Sequence, residues 1–159
     1  NHTILGGWRE KAEGVIFTNW RIGEYKSQGI DVLGADFGYS TDPSTLLSTS
    51  IDKANKRIYI KEHLNKPNMN TSQLGAIFSQ VAGRNTIVGD SAEPRLISEL
   101  KRYCNIVPTI KGQGSVNYGI ALLQDYELIV TTERININNK KVVIKFGSIV
   151  FCPIFVLSK

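Results

Sequence analysis

The spacing of apolar residues changes character part-way along this chain, and that change restricts the fold more than any other feature. From Ile30 to Lys61 the apolar positions have strand spacing. Residues 30–37 are apolar apart from their acids, and 45–51 follow an Asp42-Pro43 turn. Residues 57–61 alternate, so Ile58 and Ile60 are expected to face one way and Arg57, Tyr59 and Lys61 the other. With a turn around Asn55, these three segments form an antiparallel meander. From Asn70 onward, helical stripes take over. Leu74, Ile77, Phe78 and Val81 share one face of a helix over 70–82, capped by Asn70 or Thr71. Leu96, Ile97, Leu100 and Tyr103 or Cys104 mark a second over 93–104, with Pro94 in its first turn, where a missing N–H costs nothing. Val116, Ile120 and Leu123 mark a third over 115–126, with Ser115 as N-cap. Short apolar runs at 86–89, 106–108 and 127–131 alternate with these helices, as parallel crossover units do.

The sum is an α/β chain with a mixed sheet, three antiparallel strands followed by parallel strands, and flanking helices. That is the order expected of a ribonuclease-H-like fold. Residues 30–134 are assigned to this domain. Residues 1–29 read as a lead-in segment with a short strand near 15–18 at the domain edge, and 135–159 as an apolar tail with strand character. A length of 159 residues holds one ordinary domain, and 42% hydrophobic with 21% charged residues excludes wholesale disorder. Residues 1–14 contain Arg9, Glu10, Lys11 and Glu13 and read as no secretory signal. The apolar stretch 142–157 is shorter than a membrane span and is broken by Lys145, Gly147 and Pro153, so no membrane partner is expected. A net charge of +5 suits a nucleic-acid partner without selecting one. Cys104 and Cys152 have no metal-type spacing and read as free thiols of a reducing cytosol. His2 and His63 suggest no catalytic pairing, and His63 is read as solvated at an exposed strand end.

Two acids stand where an acid needs a reason. Asp36 ends the apolar run Gly34-Ala35-Asp36-Phe37-Gly38-Tyr39, and Asp90 ends Ile87-Val88-Gly89-Asp90. A carboxylate beside buried apolar neighbours must be solvated, paired or bound to a cation. In the inferred fold their strands are neighbours, so both carboxylates reach one spot and repel unless a cation lies between them. A pair of Mg²⁺ or Mn²⁺ ions would relieve the repulsion and activate water for phosphodiester cleavage. The alternative stays open at this point: Asp36 and Asp90 as separate turn formers, Asp90 capping the helix that begins at Glu93. Downstream, Lys111, Gly112, Gly114 and Ser115 form a basic, glycine-rich loop before a helix, suited to holding DNA phosphate and equally frequent as an ordinary surface loop.

These strings resemble a known family in order. Gly34–Tyr39 with Asp42-Pro43-Ser44 resembles the first nuclease motif of phage terminase large subunits, and Gly89-Asp90-Ser91-Ala92-Glu93-Pro94-Arg95 with Ile97 and Glu99-Leu100 resembles the second. Lys111-Gly112-Gln113-Gly114-Ser115-Val116 with Gly119-Ile120 is similar to the basic loop and helix start that follow. The likeness runs from about Trp8 to Arg134. It implies a C-terminal nuclease domain that cuts double-stranded DNA with two metal ions in the cytoplasm of the host bacterium. In that family the partners are an ATPase domain, a small terminase subunit and the portal. Asp36 and Asp90 match the first two metal-binding acids, while Asp42 and Glu93 fall in the same motifs as supporting candidates, or as a turn former and a helix-start charge.

The sequence departs from the family in two places. It contains no G-x-x-x-x-G-K-[ST] string, so the ATPase half of the packaging motor is expected to be lacking. The family also carries a third acid near its C-terminus, whereas here no Asp or Glu follows Glu133, and Ile135-Asn136-Ile137-Asn138-Asn139-Lys140-Lys141 leads into apolar sequence. The expectation is a decayed prophage gene whose tail is unrelated sequence, with Glu133 as the nearest substitute and with weak or no cleavage. A non-catalytic DNA- or protein-binding remnant and a resolvase-type nuclease are the alternatives.

Overall fold

The computed structural model describes residues 17–38, 41–110 and 113–131. Seven strands form one sheet: β1 (Trp20–Ile22), β2 (Val32–Asp36), β3 (Ser44–Asp52), β4 (Arg57–Lys66), β5 (Ile87–Gly89), β6 (Ile106–Pro108) and β7 (Glu127–Thr131). Their spatial order is β1-β7-β4-β3-β2-β5-β6. The β2–β3 and β3–β4 pairs are antiparallel and every other pair is parallel, so β3 alone runs against the rest. The expected antiparallel meander followed by parallel strands is therefore present, with one strand added at the edge.

Three helices of the described residues cover the sheet: α1 (Thr71–Ala82), α2 (Pro94–Leu100) and α3 (Ser115–Gln124). Leu74 and Phe78 of α1 and Ile97 and Leu100 of α2 pack with Leu33, Ala35, Leu46, Ile87 and Ile106 in the larger core. Leu123 of α3 packs with Leu47, Ile58, Ile60 and Leu128 in a second. Successive strand residues point to opposite faces, so Leu46 enters one core and Leu47 the other, which buries β3 from both sides. Asn70 caps α1 in a reciprocal pair, its side chain accepting from the Gln73 amide at 2.8 Å while Gln73 Oε1 accepts from the Asn70 amide at 3.0 Å.

Several local expectations are corrected. An edge strand lies at Trp20–Ile22, where Trp20, Arg21 and Ile22 pair with Leu128, Ile129 and Val130 of β7; the strand expected near 15–18 falls partly outside the described residues. On the face of β4 opposite Ile58 and Ile60, Tyr59 is buried, with Tyr25 packed edge-on against it at 6.4 Å. Strand β4 runs to Lys66, so His63 sits within it, half-buried, next to a bulge opposite Leu46 and Leu47. Its Nε2 lies 2.7 Å from Ser48 Oγ, and burial, with the charge of Lys61 adding, lowers its pKa. Helix α2 stops at Leu100, short of Cys104, and α3 stops at Gln124. Gly114 rather than Ser115 occupies the N-cap of α3, in the left-handed region (φ 77°), where a glycine carries no Cβ penalty. The Cys104 thiol is free, and burial pushes its pKa up. Cys152, His2, the predicted tail strand and Glu133 lie outside the described residues. Among the described residues no helix is long and apolar enough to cross a membrane.

Candidate active site

Asp36 is the last residue of β2, and Asp90 follows the last residue of β5. The strands are parallel neighbours, with Leu33, Gly34 and Ala35 opposite Ile87, Val88 and Gly89. The ladder continues one bond further, from the Asp90 amide to the Ala35 carbonyl at 3.2 Å. That register places the two acids side by side at the same end of the sheet. Because side chains alternate, both belong to the face of Val32, Gly34 and Val88, opposite the one that α1 and α2 cover. Both residues are half-buried.

Each strand end is held by its own turn. After β2 the chain reverses so closely that a Cβ on Gly38 would run into the backbone of Asp42 and Pro43, and the Gly38 amide donates to Ser44 Oγ at 3.0 Å. After β5, Asp90 Oδ1 accepts from the Ala92 amide at 3.1 Å and the Asp90 carbonyl accepts from the Glu93 amide at 3.3 Å. This is an Asx-type turn that hands the chain to α2. The Ser91 amide donates to Thr109 Oγ1 at 3.1 Å, and the Thr109 amide donates to the Gly89 carbonyl at 2.9 Å, tying the end of β6 into the same turn.

The other candidates are placed differently. Asp42 is exposed in the turn before Pro43. Glu93 is the N-cap of α2 but makes no side-chain capping bond, so Asp90 shapes the approach to the helix without being its cap. Glu93 lines an open cleft of about 330 Å³ with Phe37, Leu74, Arg95 and Glu99. Among the described residues no group of three or more His, Cys, Asp or Glu gathers to hold a metal. Lys111 and Gly112 lie outside the described residues, as does the side chain of Ser115. Ser44 and Thr109 shape the two turns, yet neither is distinguishable in sequence from an ordinary strand-end hydroxyl.

A family model described as the terminase RNase H-like domain matches residues 36–146. The chain belongs to that family. The match begins at Asp36 itself and continues to Phe146, past Arg134, where the motif resemblance ends. In structure, this terminase RNase H-like chain is similar to the nuclease domain of the large terminase g2p from bacteriophage SPP1, a structure with bound Mn. The two share 22% identity at a TM-score of 0.67, over 89% of this chain and 97% of that one. It is also similar to the large terminase nuclease domain of P22, with 16% identity and a TM-score of 0.63 over 89% of each chain. At these identities the likeness is one of fold, and the fold is the RNase H-like α/β sheet. No curated protein matches the chain in sequence.

Proposed function

We propose that this chain is a divalent-metal-dependent endonuclease domain of a phage or prophage DNA-packaging terminase large subunit. It acts on double-stranded DNA through Asp36 and Asp90, and it is weakened by the lack of a third acid. The observation that carries this reading is the β2–β5 register, which sets two half-buried carboxylates side by side at one strand-end edge. Two carboxylates at an open edge suit Mg²⁺ or Mn²⁺, hard ions that accept one or two protein carboxylates and fill their remaining positions with water and phosphate oxygens. Asp36 and Asp90 would hold the metal, two ions in the full arrangement. When bound, the metal lowers the pKa of water and offsets charge on the scissile phosphate. That the similar SPP1 nuclease domain was solved with bound Mn supports a divalent metal. The basic string Lys111, Gly112, Gly114 and Ser115 follows closely in sequence on Thr109, which is tied to the Asp90 turn. That string would steady DNA phosphates without reading sequence. The ATPase domain, small subunit and portal are the partners of such a domain in the host cytoplasm, and the absence of acids after Glu133 is why cleavage would be weak.

The test is digestion of supercoiled plasmid with Mn²⁺ by the wild-type chain, Asp36→Ala and Asp90→Ala. Slow metal-dependent cleavage by the wild type, lost in both variants, is expected. No cleavage by a folded wild type, together with metal-independent, strongly salt-sensitive DNA binding, would make the chain a non-catalytic remnant. Preference for branched over linear duplex would assign it to the resolvases.

A further inference from the structure

We infer that Thr109 is a positioning residue for the metal site: its hydroxyl, reaching from the end of β6, fixes the turn that aims the Asp90 carboxylate. The inference rests on the metal-site reading of Asp36 and Asp90.

Asp90 is one residue beyond β5; its amide makes the last bond of the ladder, to Ala35, and after it the chain leaves the sheet. Its carboxylate direction is set by the turn Asp90-Ser91-Ala92, through the Ala92 amide on Oδ1 at 3.1 Å. Ser91 is half-buried and Ala92 exposed, so packing contributes weakly. Thr109 anchors the turn from outside. Its side chain accepts the Ser91 amide at 3.1 Å, and its own amide is locked onto the Gly89 carbonyl at 2.9 Å. Thr109 is 8% exposed, one of six buried polar residues among the described residues. Its β-branched side chain has few rotamers, so the hydroxyl is held in place before the Ser91 bond forms. The backbone on both sides of Asp90 is therefore fixed, by the Ala35 carbonyl before it and by Thr109 after it. With only two carboxylates in the described site, the direction of each matters more than it would in a fuller cage, because hydrogen-bonded neighbours that orient a metal-binding carboxylate set its affinity.

The experiment compares wild type, Thr109→Val, Thr109→Ser and Asp90→Ala by two readouts that do not need activity. Mn²⁺ titration followed by the electron paramagnetic resonance signal of the free ion reads affinity, and amide hydrogen exchange of the metal-free protein reads the Ser91 amide. Thr109→Val keeps the bulk and removes the acceptor. It should raise the Mn²⁺ dissociation constant roughly tenfold and speed exchange at Ser91 while leaving Tm nearly unchanged. Thr109→Ser, which retains the hydroxyl, should restore both. If Thr109→Val does not fold, Thr109→Ala takes its place, with the same expectation for affinity. Wild-type Mn²⁺ affinity in the variant lacking the hydroxyl would overturn the inference and leave the site reading intact. Equal loss in the Val and Ser variants would also overturn it, because the hydroxyl would then not be the agent. A folded wild type that binds no Mn²⁺, or binds it as well after Asp90→Ala, would overturn the site reading itself and the inference with it.

Discussion

The amide of Asp90 donates to the carbonyl of Ala35, the residue before Asp36, and this 3.2 Å bond lies one step beyond the last paired residues of β2 and β5. It makes the position of one acid a function of the other's strand. Metal affinity should then depend on both acids together.

At an Mn²⁺ concentration about a hundredfold above its dissociation constant, linkage gives roughly 2.7 kcal/mol of added stability. For a domain of this size that is about 5–10 °C in Tm. Differential scanning fluorimetry should show this rise for the wild type and none for Asp36→Ala or Asp90→Ala. An undiminished rise in either variant would place the ion elsewhere.

Gly75 lies on the buried side of α1 directly under the ring of Tyr103, where an added Cβ would collide with the ring carbons. Helix propensity alone favours Gly75→Ala by about 1 kcal/mol. The collision should win, and the variant should lose about 1–3 kcal/mol in urea unfolding. In the Tyr103→Ala background the same substitution should become neutral or stabilising.

His63 gives the fold a pH dependence whose sign is fixed. Burial, with Lys61 adding, holds its pKa below the ordinary 6.5. As pH falls, the unfolded chain takes up the proton first. The stability contribution is therefore complete above about pH 6.5 and is lost as pH falls through the folded value. The urea midpoint should drop between about pH 7 and pH 5, and His63→Gln should flatten that part of the curve.

Asn19 ties the lead-in segment to the end of α3: its side-chain amide donates to the carbonyls of Leu123 at 3.0 Å and Gln124 at 3.3 Å, and also to that of Tyr126. These carbonyls close the last turn of α3, where that of Leu123 also accepts from the Tyr126 amide at 3.2 Å. Asn19→Ala should cost about 1–2 kcal/mol, and hydrogen exchange should quicken first in β1 and at the end of α3.

What could be read in the sequence was whatever the chain decides locally. Asn70 with its stripe of Leu74, Ile77 and Phe78 announces α1 because cap and apolar face are properties of one short segment. Asp36 and Asp90 stand out because an acid ending an apolar run is a local contradiction, and such contradictions gather at functional sites. Strand β1 is only Trp20–Ile22, and its partner Leu128 is remote in sequence, so nothing nearby marks it. His63 reads as solvated because its cover, Ser48, comes from a neighbouring strand. Ser115 is the better capping residue by type, yet the chain enters α3 through a left-handed turn that favours Gly114. Thr109 escaped notice because its role depends on a neighbouring turn brought to it by the sheet.

The place of β7 has a consequence for how this protein is made. It inserts between β4 and β1, pairing Leu128 with both Ile58 and Trp20. As the chain leaves the ribosome, β2 to β6 can assemble in sequence, but β4 presents an open edge and β1 has nothing to join until residue 131 has emerged. Closing the sheet is thus a late, long-range step, slow by the entropy of the loop it must close. During that interval the exposed edge of β4 is available to other nascent chains.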